Sequence, residues 1–479
     1  MICPADDHSC YKQAKEDFVT GHNGTDMWEL TIQGFLFPAS LLLLRSVQAW
    51  IPGSDSFVVE FLLLVVPTCL GMTVLADYAT YMVASMMIFG LSSWVLTKDH
   101  HPDTMTPKKM HLTNFRSGIM LMTCSAILAV DFPVFPRRFV KTETYGTSLM
   151  DIGVGAFVVS GGLVSRMTQP EKSSTSLWTE ILRIIPLLVL GAVRIVIVWG
   201  VDYQEHVSEY GVHWNFFFTL ACLSCLTLAF ERLVWNVVYR PFVDSSKLSR
   251  HLFYLGCFVL LLHQWRISYG GIAEWIDSSA ERITLIEANK EGLTSTLGFL
   301  GLHLMAVGWG GWERQKSNTH EKKLTSNVLA APKVTTKKSW FPFKYLVAIR
   351  IQWCILLLVA AVLYAMLQFS EHMPSLAPSR KMANATYCLW VFLHNVSILG
   401  LLEMIDFMYD ATAPPTLSAA VNKNQLVVFL IANQMTGVVN LSMRTVYVDD
   451  ARSSMAVVLV YMGCVSLVAW MLRHRRIKL

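Results

Sequence analysis

The chain has 479 residues, of which 53% are hydrophobic and only 15% are charged, and its formal net charge is +5. Soluble globular domains carry about 25% charged residues, so this composition excludes an ordinary soluble enzyme. No nucleic acid is expected as a partner. Long apolar segments recur from one end to the other, and a membrane span needs roughly 20 apolar residues. The sequence therefore predicts a polytopic membrane protein.

The spans are predicted to be helices, because backbone polar groups in lipid must be paired within a helix or a closed barrel. Barrel strands would alternate apolar and polar residues over about ten positions. Segments such as "MAVVLVYMGCVSLVAWML" at 455–472 are instead apolar on every face. We predict an all-α protein with about thirteen spans. They are expected at 28–47, 57–74, 75–94, 114–131, 150–166, 178–200, 213–233, 250–269, 293–310, 342–368, 385–407, 425–442 and 453–472.

The N-terminal segment "MICPADDHSCYKQAKEDF" is polar and acidic, unlike a cleaved secretory signal. The first span is expected to serve as the insertion signal and to stay. Cys3 and Cys10 could form a disulfide if this segment is lumenal. Cys222 and Cys225 form a C-x-x-C inside an apolar segment, but no second cysteine pair or histidine stands at zinc spacing, so no metal site is predicted.

The distribution of lysine and arginine between the loops predicts the orientation. The C-terminal "RHRRIK" and the most basic loop, at 314–338, fall on one side of the predicted membrane, while the loops at 201–210 and 276–292 are acidic and fall on the other. We predict a lumenal N-terminus and a cytosolic C-terminus. The whole chain, 1–479, is expected to be one transmembrane domain, with a flexible basic cytosolic loop at 311–341.

One lumenal segment departs from this rule. In "AILAVDFPVFPRRFVKTETYGTSLMD", residues 126–151, the cations Arg137, Arg138 and Lys141 lie on the side where positive charge is otherwise sparse. The simpler interpretation is ion pairing with lumenal carboxylates or lipid headgroups. The functional interpretation is recognition of an anionic substrate, since the arginine fork donates two hydrogen bonds to a phosphate.

Asp131 stands where an apolar helix ends, and the prolines that follow prevent regular helix. An acid at the rim of such a segment could act as a general base, with Lys141 keeping it ionised or stabilising an oxyanion. An ordinary ion pair is the alternative. Further substrate contacts are predicted from Arg380, His213, Trp214, Asn433 and Asn440. In the last helix but one, Asn433, Gly437 and Asn440 form a polar stripe with a close-approach glycine, for which helix packing is the alternative.

Several stretches resemble the GPI-anchored wall transfer protein family, the fungal relatives of the mammalian class W protein of phosphatidylinositol glycan biosynthesis. The longest is "LTNFRSGIMLMTCSAILAVDFPVFPRRFVKTETYGTSLMDIGVGAFVVSGGLVS" at 112–165. Others are "KEDFVTGHNG" at 15–24, "QEHVSEYGVHWNFFFTL" at 204–220, "SRKMANATYCLW" at 379–390 and "ANQMTGVVNLSM" at 432–443. They follow the family's order along essentially the whole chain.

The resemblance implies a multi-pass protein of the endoplasmic reticulum membrane. It implies transfer of a fatty acyl chain, typically palmitoyl, from acyl-CoA to the inositol 2-hydroxyl of glucosaminyl-phosphatidylinositol. Acyl-CoA is a co-substrate, and no bound cofactor is expected. Asp131 and Lys141 match the family's catalytic pair, and Arg137 and Arg138 would hold the substrate's phosphodiester.

Two other classes of function stay open at this stage. A lipid flippase or transporter would suit many spans with polar residues inside them, but transporters often show repeated halves, and no repeat is apparent here. A non-catalytic scaffold of a lipid-modifying complex would leave the pairing of acid and lysine unexplained.

Overall fold

The computed structural model describes residues 8–51, 53–97, 110–168, 176–201, 207–232, 247–278, 282–328, 350–409, 411 and 413–477. Helices dominate this part of the chain, and its β-structure is confined to one isolated parallel bridge between Gly24 and Thr147. The predicted all-α fold is therefore confirmed.

The longer helices are numbered here in chain order. They are α1 His8–Val19, α2 Met27–Trp50, α3 Phe57–Met72, α4 Ala79–Thr97, α5 Met110–Ala129, α6 Leu149–Leu163, α7 Leu177–Val201, α8 Phe216–Ala229, α9 Leu248–Tyr269, α10 Ile272–Asp277, α11 Lys290–Val328, α12 Arg350–Phe369, α13 Ala385–Met408, α14 Thr416–Lys423, α15 Gln425–Ser442 and α16 Ala451–Met471. Four-residue helices lie at Val207–Tyr210 and Leu285–Ala288.

Seven helices in the described ranges are long and apolar enough to cross a membrane. Shorter apolar helices lie at Phe57–Met72, Leu149–Leu163 and Cys354–Phe369. The protein is a polytopic membrane protein, and a helix falls within each predicted span. The count of thirteen spans and the orientation stay predictions.

The helices group into two compact units. The first comprises residues Met1–Phe157, Val201–Glu205 and His394–Leu479. Its core lies along α2, where Leu36, Phe37, Leu41 and Leu42 are almost fully buried. Helix α2 is apolar along most of its length, so it can be surrounded by other helices rather than bury one face.

Glu60 is a buried charge within a predicted span of this first unit. Its carboxylate accepts hydrogen bonds from the backbone nitrogens of Thr416 (2.9 Å) and Leu417 (2.6 Å). These N–H groups open helix α14, where the helix dipole favours a negative charge. Glu60 therefore fixes the start of α14 against α3.

The second unit comprises residues Val158–Gly200 and His206–Leu393. Within it α9 packs along α11 at glycines. A Cβ atom on Gly256 would lie 2.7 Å from the carbonyl oxygen of Gly301, and one on Gly308 would lie 2.6 Å from that of Ser249. Small residues at these points let two helix backbones approach closely, as is common between helices in membranes.

Helix α11 extends further than the sequence indicated. It continues to Val328, so residues 311–328 are helical where we predicted a flexible loop. The run contains lysine, glutamate and glutamine and no proline, and these long side chains favour helix even where the segment is polar. The remainder of the predicted loop, 329–341, lies outside the described residues.

Candidate functional site

The Asp131 loop, residues 130–148, joins α5 to α6 in the first unit. It begins with a tight turn in which Asp131 and Phe132 donate to the carbonyls of Leu128 and Ala129, at 3.1 and 3.0 Å. A short 3₁₀ turn follows at Arg137–Phe139. The loop is anchored by its phenylalanines at 132, 135 and 139, whose side chains are fully buried. Burial of these rings gives an irregular segment a fixed shape.

Arg137 organises the backbone of this loop. Its guanidinium donates to the carbonyl oxygens of Phe135 (3.0 and 2.7 Å), Phe132 (2.9 Å), Val130 (3.0 Å) and Phe18 (3.4 Å). The guanidinium also lies 4.0 Å from the centre of the Phe18 ring. An arginine has five N–H donors, and these contacts use all of them. Binding of a phosphodiester by Arg137 stays a prediction, but it would require loss of carbonyl bonds.

Arg138 faces acidic side chains instead of carbonyls. It donates to both carboxylate oxygens of Glu29 (2.9 and 3.2 Å) and to Asp77. Glu29 lies in the first turn of α2, and Asp77 lies just before α4. The ion pairing proposed from sequence as the simpler interpretation therefore holds for Arg138 within the chain. Its predicted role in substrate binding is untested.

Asp151 fixes the second half of the loop. Its carboxylate accepts from the backbone N–H of Thr142 (3.2 Å), the Thr142 hydroxyl (2.8 Å) and the Ser148 hydroxyl (2.8 Å). Asp151 is fully buried in the first turn of α6. A buried carboxylate needs such donors, so residues 142–148 are held close to the start of α6.

The N-terminal segment is fastened to the same loop by a pair of hydrogen bonds. Thr25 N donates to Thr147 O (2.8 Å), and the Thr147 hydroxyl donates to Thr25 O (2.6 Å). Gly24 forms the bridge with a φ of +81°, and a Cβ atom there would lie 2.0 Å from the Thr147 carbonyl oxygen. The approach is possible only for glycine.

Gly24→Ala is therefore expected to lower the Tm and the activity of the protein. Gly21→Ala is the matched control, because Gly21 also has a positive φ (+75°) but open space around its Cβ position. The left-handed backbone destabilises both variants by about 1–2 kcal/mol. In Gly24→Ala the new methyl group must in addition push the N-terminal segment away from Thr147. Thermal unfolding in detergent measures the difference, and equal Tm values for the two variants would contradict it.

Asp131 belongs to a polar cluster built from three distant parts of the chain. Asn440, near the end of α15, donates through Nδ2 to Asp131 Oδ2 at 2.7 Å. The Asn440 carbonyl accepts from Lys15 Nζ of α1 and from the Thr445 hydroxyl, each at 3.1 Å. No residue of the described chain donates to the other carboxylate oxygen of Asp131.

The charges of this cluster influence one another. Burial raises the pKa of Asp131 above the ordinary carboxyl range, while the Asn440 bond and the charges of Lys15 and Arg137 oppose the rise. Burial also lowers the pKa of Lys15 and lowers that of Arg137 to about 10. Because its pKa is raised, the ionised carboxylate of Asp131 is a stronger base than that of an exposed aspartate.

For the other predicted residues of the first unit, no contact with Asp131 is described. Lys141 is half-buried on the Asp131 loop, and its role stays a prediction. Asn433 is exposed and donates to Phe429 O of its own helix at 2.7 Å. A Cβ atom at Gly437 would meet no atom of the described residues within 4 Å, so the expected close approach at this glycine is not found among them. Of the predicted stripe, Asn440 reaches Asp131.

Arg380, His213 and Trp214 lie in the second unit. Arg380 is 4% exposed and donates to Glu209 at 3.0 Å. The backbone N–H of His213 donates to Asn289 Oδ1 (2.9 Å). The indole of Trp214 donates to the Thr219 hydroxyl (2.9 Å). Each contact holds a connecting segment of this unit in place, and the substrate roles of all three stay predictions.

Sequence reasoning missed Lys15. It lies in an amphipathic polar segment more than 100 residues before Asp131, and a single lysine there looks like a solvated helix face. The sole signal was indirect, since "KEDFVTGHNG" is one of the stretches that carry the family resemblance. The structure supplies the reason, because Lys15 and Asn440 meet across 425 residues of sequence.

Comparisons with known proteins agree over nearly the full length. The GWT1 family model matches residues 11–472. The GPI-anchored wall transfer protein 1 of Saccharomyces cerevisiae is 32% identical, with 98% of this chain and 99% of that protein covered. The Candida albicans protein of the same name is 31% identical, covering 94% and 95%. The phosphatidylinositol-glycan biosynthesis class W protein of Dictyostelium discoideum is 30% identical, covering 98% and 99%. The chain belongs to the GWT1 family.

Proposed function

We propose that this protein is an acyltransferase of GPI-anchor biosynthesis. It moves a fatty acyl chain, palmitoyl in the first instance, from acyl-CoA to the inositol 2-hydroxyl of glucosaminyl-phosphatidylinositol. The names of the relatives support a role in GPI biosynthesis. The reaction itself rests on the resemblance described above and on the chemistry of the Asp131 cluster.

One observation carries the proposal. Asp131 is a partly buried carboxylate at the end of α5, oriented by Asn440 on one oxygen, with its other oxygen open among the described residues. A general base must be ionised, oriented and within reach of the proton it removes. A scaffold needs no such arrangement, and a flippase needs no base.

The proposed step is direct attack on the thioester. The inositol hydroxyl oxygen bonds to the thioester carbonyl carbon while Asp131 takes the hydroxyl proton. The tetrahedral oxyanion then collapses, the carbon–sulfur bond breaks, and the CoA thiolate leaves and recovers the proton from Asp131. Lys141 orients the hydroxyl or stabilises the oxyanion. A general base contributes about 10²–10⁴-fold, and proximity of the two bound lipids contributes the rest.

We propose that the reaction takes place at the lumenal face of the endoplasmic reticulum membrane. Cys10 is disulfide-bonded at the start of α1, and disulfides persist in oxidising compartments such as the reticulum lumen. Helix α1 carries Lys15 to the Asp131 cluster. The lumenal N-terminus predicted from loop charge therefore brings the cluster to the same side.

The test is acyl transfer by the purified protein in liposomes. Glucosaminyl-phosphatidylinositol and labelled palmitoyl-CoA are supplied together, and phosphatidylinositol replaces the glycolipid in a parallel sample. Labelled acyl-inositol product that requires both substrates supports the proposal. If the glycolipid moves between leaflets and no labelled product forms, the protein is a flippase and the proposal is wrong. If neither product nor movement is seen, a scaffold role is favoured instead.

The pH dependence of transfer is expected to follow Asp131. Because burial raises its pKa, the ionised base is lost at higher pH than for an ordinary aspartate, whose pKa is about 3.9. The rate should fall as pH falls through the raised pKa. The folded state binds this proton more tightly than the unfolded state does, so protonation of Asp131 does not itself unfold the protein. A kcat/KM profile with parallel Tm measurements tests this, and an acid limb near pH 4 would contradict it.

A further inference from the structure

We infer that Lys15 is a positioning residue of the acyl-transfer site, and that helix α1 is the element that delivers it. This inference rests on the proposed function and adds a residue that the Asp131 and Lys141 pair does not include. Lys15 acts through Asn440, whose amide lies between the ammonium and the carboxylate.

The argument begins with the direction of the hydrogen bonds. A lysine ammonium can only donate, and an ionised carboxylate can only accept. An asparagine between them must therefore turn its carbonyl to Lys15 and its NH₂ to Asp131. The Thr445 hydroxyl donates to the same carbonyl oxygen at 3.1 Å. Two donors on one face of the amide fix which atom faces Asp131, a choice that is ambiguous for an isolated side-chain amide.

Helix α1 is held where Lys15 can make this contact. The Tyr11 ring lies 5.6 Å from that of Tyr447, and the guanidinium of Arg444 lies 5.2 Å from the Tyr11 ring centre. The ammonium of Lys15 itself lies 5.2 Å from the same ring. Aromatic and cation–π contacts of this kind are stabilising. They fix the helix on the segment that follows α15.

Several groups around Asp131 can influence its protonation. Lys15 approaches from α1, Arg137 from the Asp131 loop and Tyr461 from α16. Arg137 directs its N–H groups to backbone carbonyls, and the Tyr461 hydroxyl contacts the carbonyls of Cys124 and Ala432. Lys15 differs from both because its charge is linked to Asp131 through one shared amide. Loss of this charge removes its attraction for Asp131 and one of the two donors that orient the Asn440 amide.

The experiment compares Lys15→Met, Lys15→Arg and Lys12→Met in the full-length protein in liposomes. Lys12 lies on the same helix and has the same charge, but it is not among the charges that act on Asp131. We expect Lys15→Met to move the acid limb of kcat/KM upward by about one pH unit and to lower the plateau. Lys15→Arg should restore the limb, and Lys12→Met should leave it in place.

A second measurement is independent of activity. The carboxyl C=O stretch of Asp131, obtained as an infrared difference against Asp131→Asn at each pH, reports its protonation directly. A higher pKa of Asp131 in Lys15→Met, but not in Lys12→Met, supports the inferred action of Lys15 on Asp131. This result would stand even if the wild-type protein transferred no acyl chain, an outcome that would refute only the proposed function. A uniform loss of rate in Lys15→Met with unchanged titration of Asp131 would overturn the inference and leave Lys15 a structural residue.

Discussion

Replacing Asp131 with asparagine is expected to reduce acyl transfer by about 10²–10⁴-fold, the contribution of a general base. Asparagine has the same shape but cannot take a proton. Its carbonyl oxygen can still accept the hydrogen bond that Asn440 donates to Asp131. Because burial raises the pKa of Asp131, a neutral residue is tolerated at this position, and we expect the Tm of the variant to equal or exceed that of wild type.

The informative measurement is kcat with saturating glycolipid and labelled palmitoyl-CoA, alongside the Tm. Lys141→Ala in the same assay separates the two halves of the predicted pair. If Asp131→Asn loses activity and Lys141→Ala keeps it, Asp131 remains the proposed base and the oxyanion must be stabilised by another group. Lys15 and Asn440, which belong to the Asp131 cluster, are then the next candidates. Wild-type kcat in Asp131→Asn would place the chemistry outside this cluster.

Arg137→Lys is expected to be the most destabilising conservative substitution in the Asp131 loop. The guanidinium satisfies four carbonyl oxygens at once. A lysine ammonium is a point charge with three donors and cannot reproduce the planar fork. Each buried carbonyl left without a partner costs about 1–3 kcal/mol. We therefore expect the free energy of unfolding to fall by roughly 2–5 kcal/mol. Acyl-transfer activity should also fall, because the backbone on both sides of Asp131 is no longer held in place.

Arg138→Lys is the control for this prediction. Arg138 has carboxylate partners, of which the Asp77 side chain is 77% exposed, and exposed ion pairs contribute about 0–1 kcal/mol. The Tm of Arg138→Lys should stay close to wild type. A higher KM for glucosaminyl-phosphatidylinositol in Arg137→Lys with an unchanged Tm would instead support the role in phosphodiester binding that the sequence indicated.

The sequence predicted the parts of this protein that depend on neighbouring residues. Apolar runs of about 20 residues must be helices in a bilayer, and helices were found within every predicted span. The end of α5 at Ala129 was also predictable, because Pro133 and Pro136 prevent its continuation. The prediction failed at residues 311–328, which we expected to be a flexible loop because they are polar. They are helical, because their long side chains favour helix.

The tertiary structure decided which polar side chains meet. The sequence marked Asp131 and Asn440 separately, but their contact spans 309 residues, and Lys15 was not marked at all. The tertiary structure also showed that Arg137, which we expected to bind a ligand, donates its hydrogen bonds to backbone carbonyls of its own loop. Hydropathy and helix propensity are properties of short segments, whereas a buried hydrogen bond depends on which helices pack together. The sequence by itself therefore determined a polytopic helical membrane protein with an acid at a helix end, and only the packing of the first unit decided which groups orient that acid and control its charge.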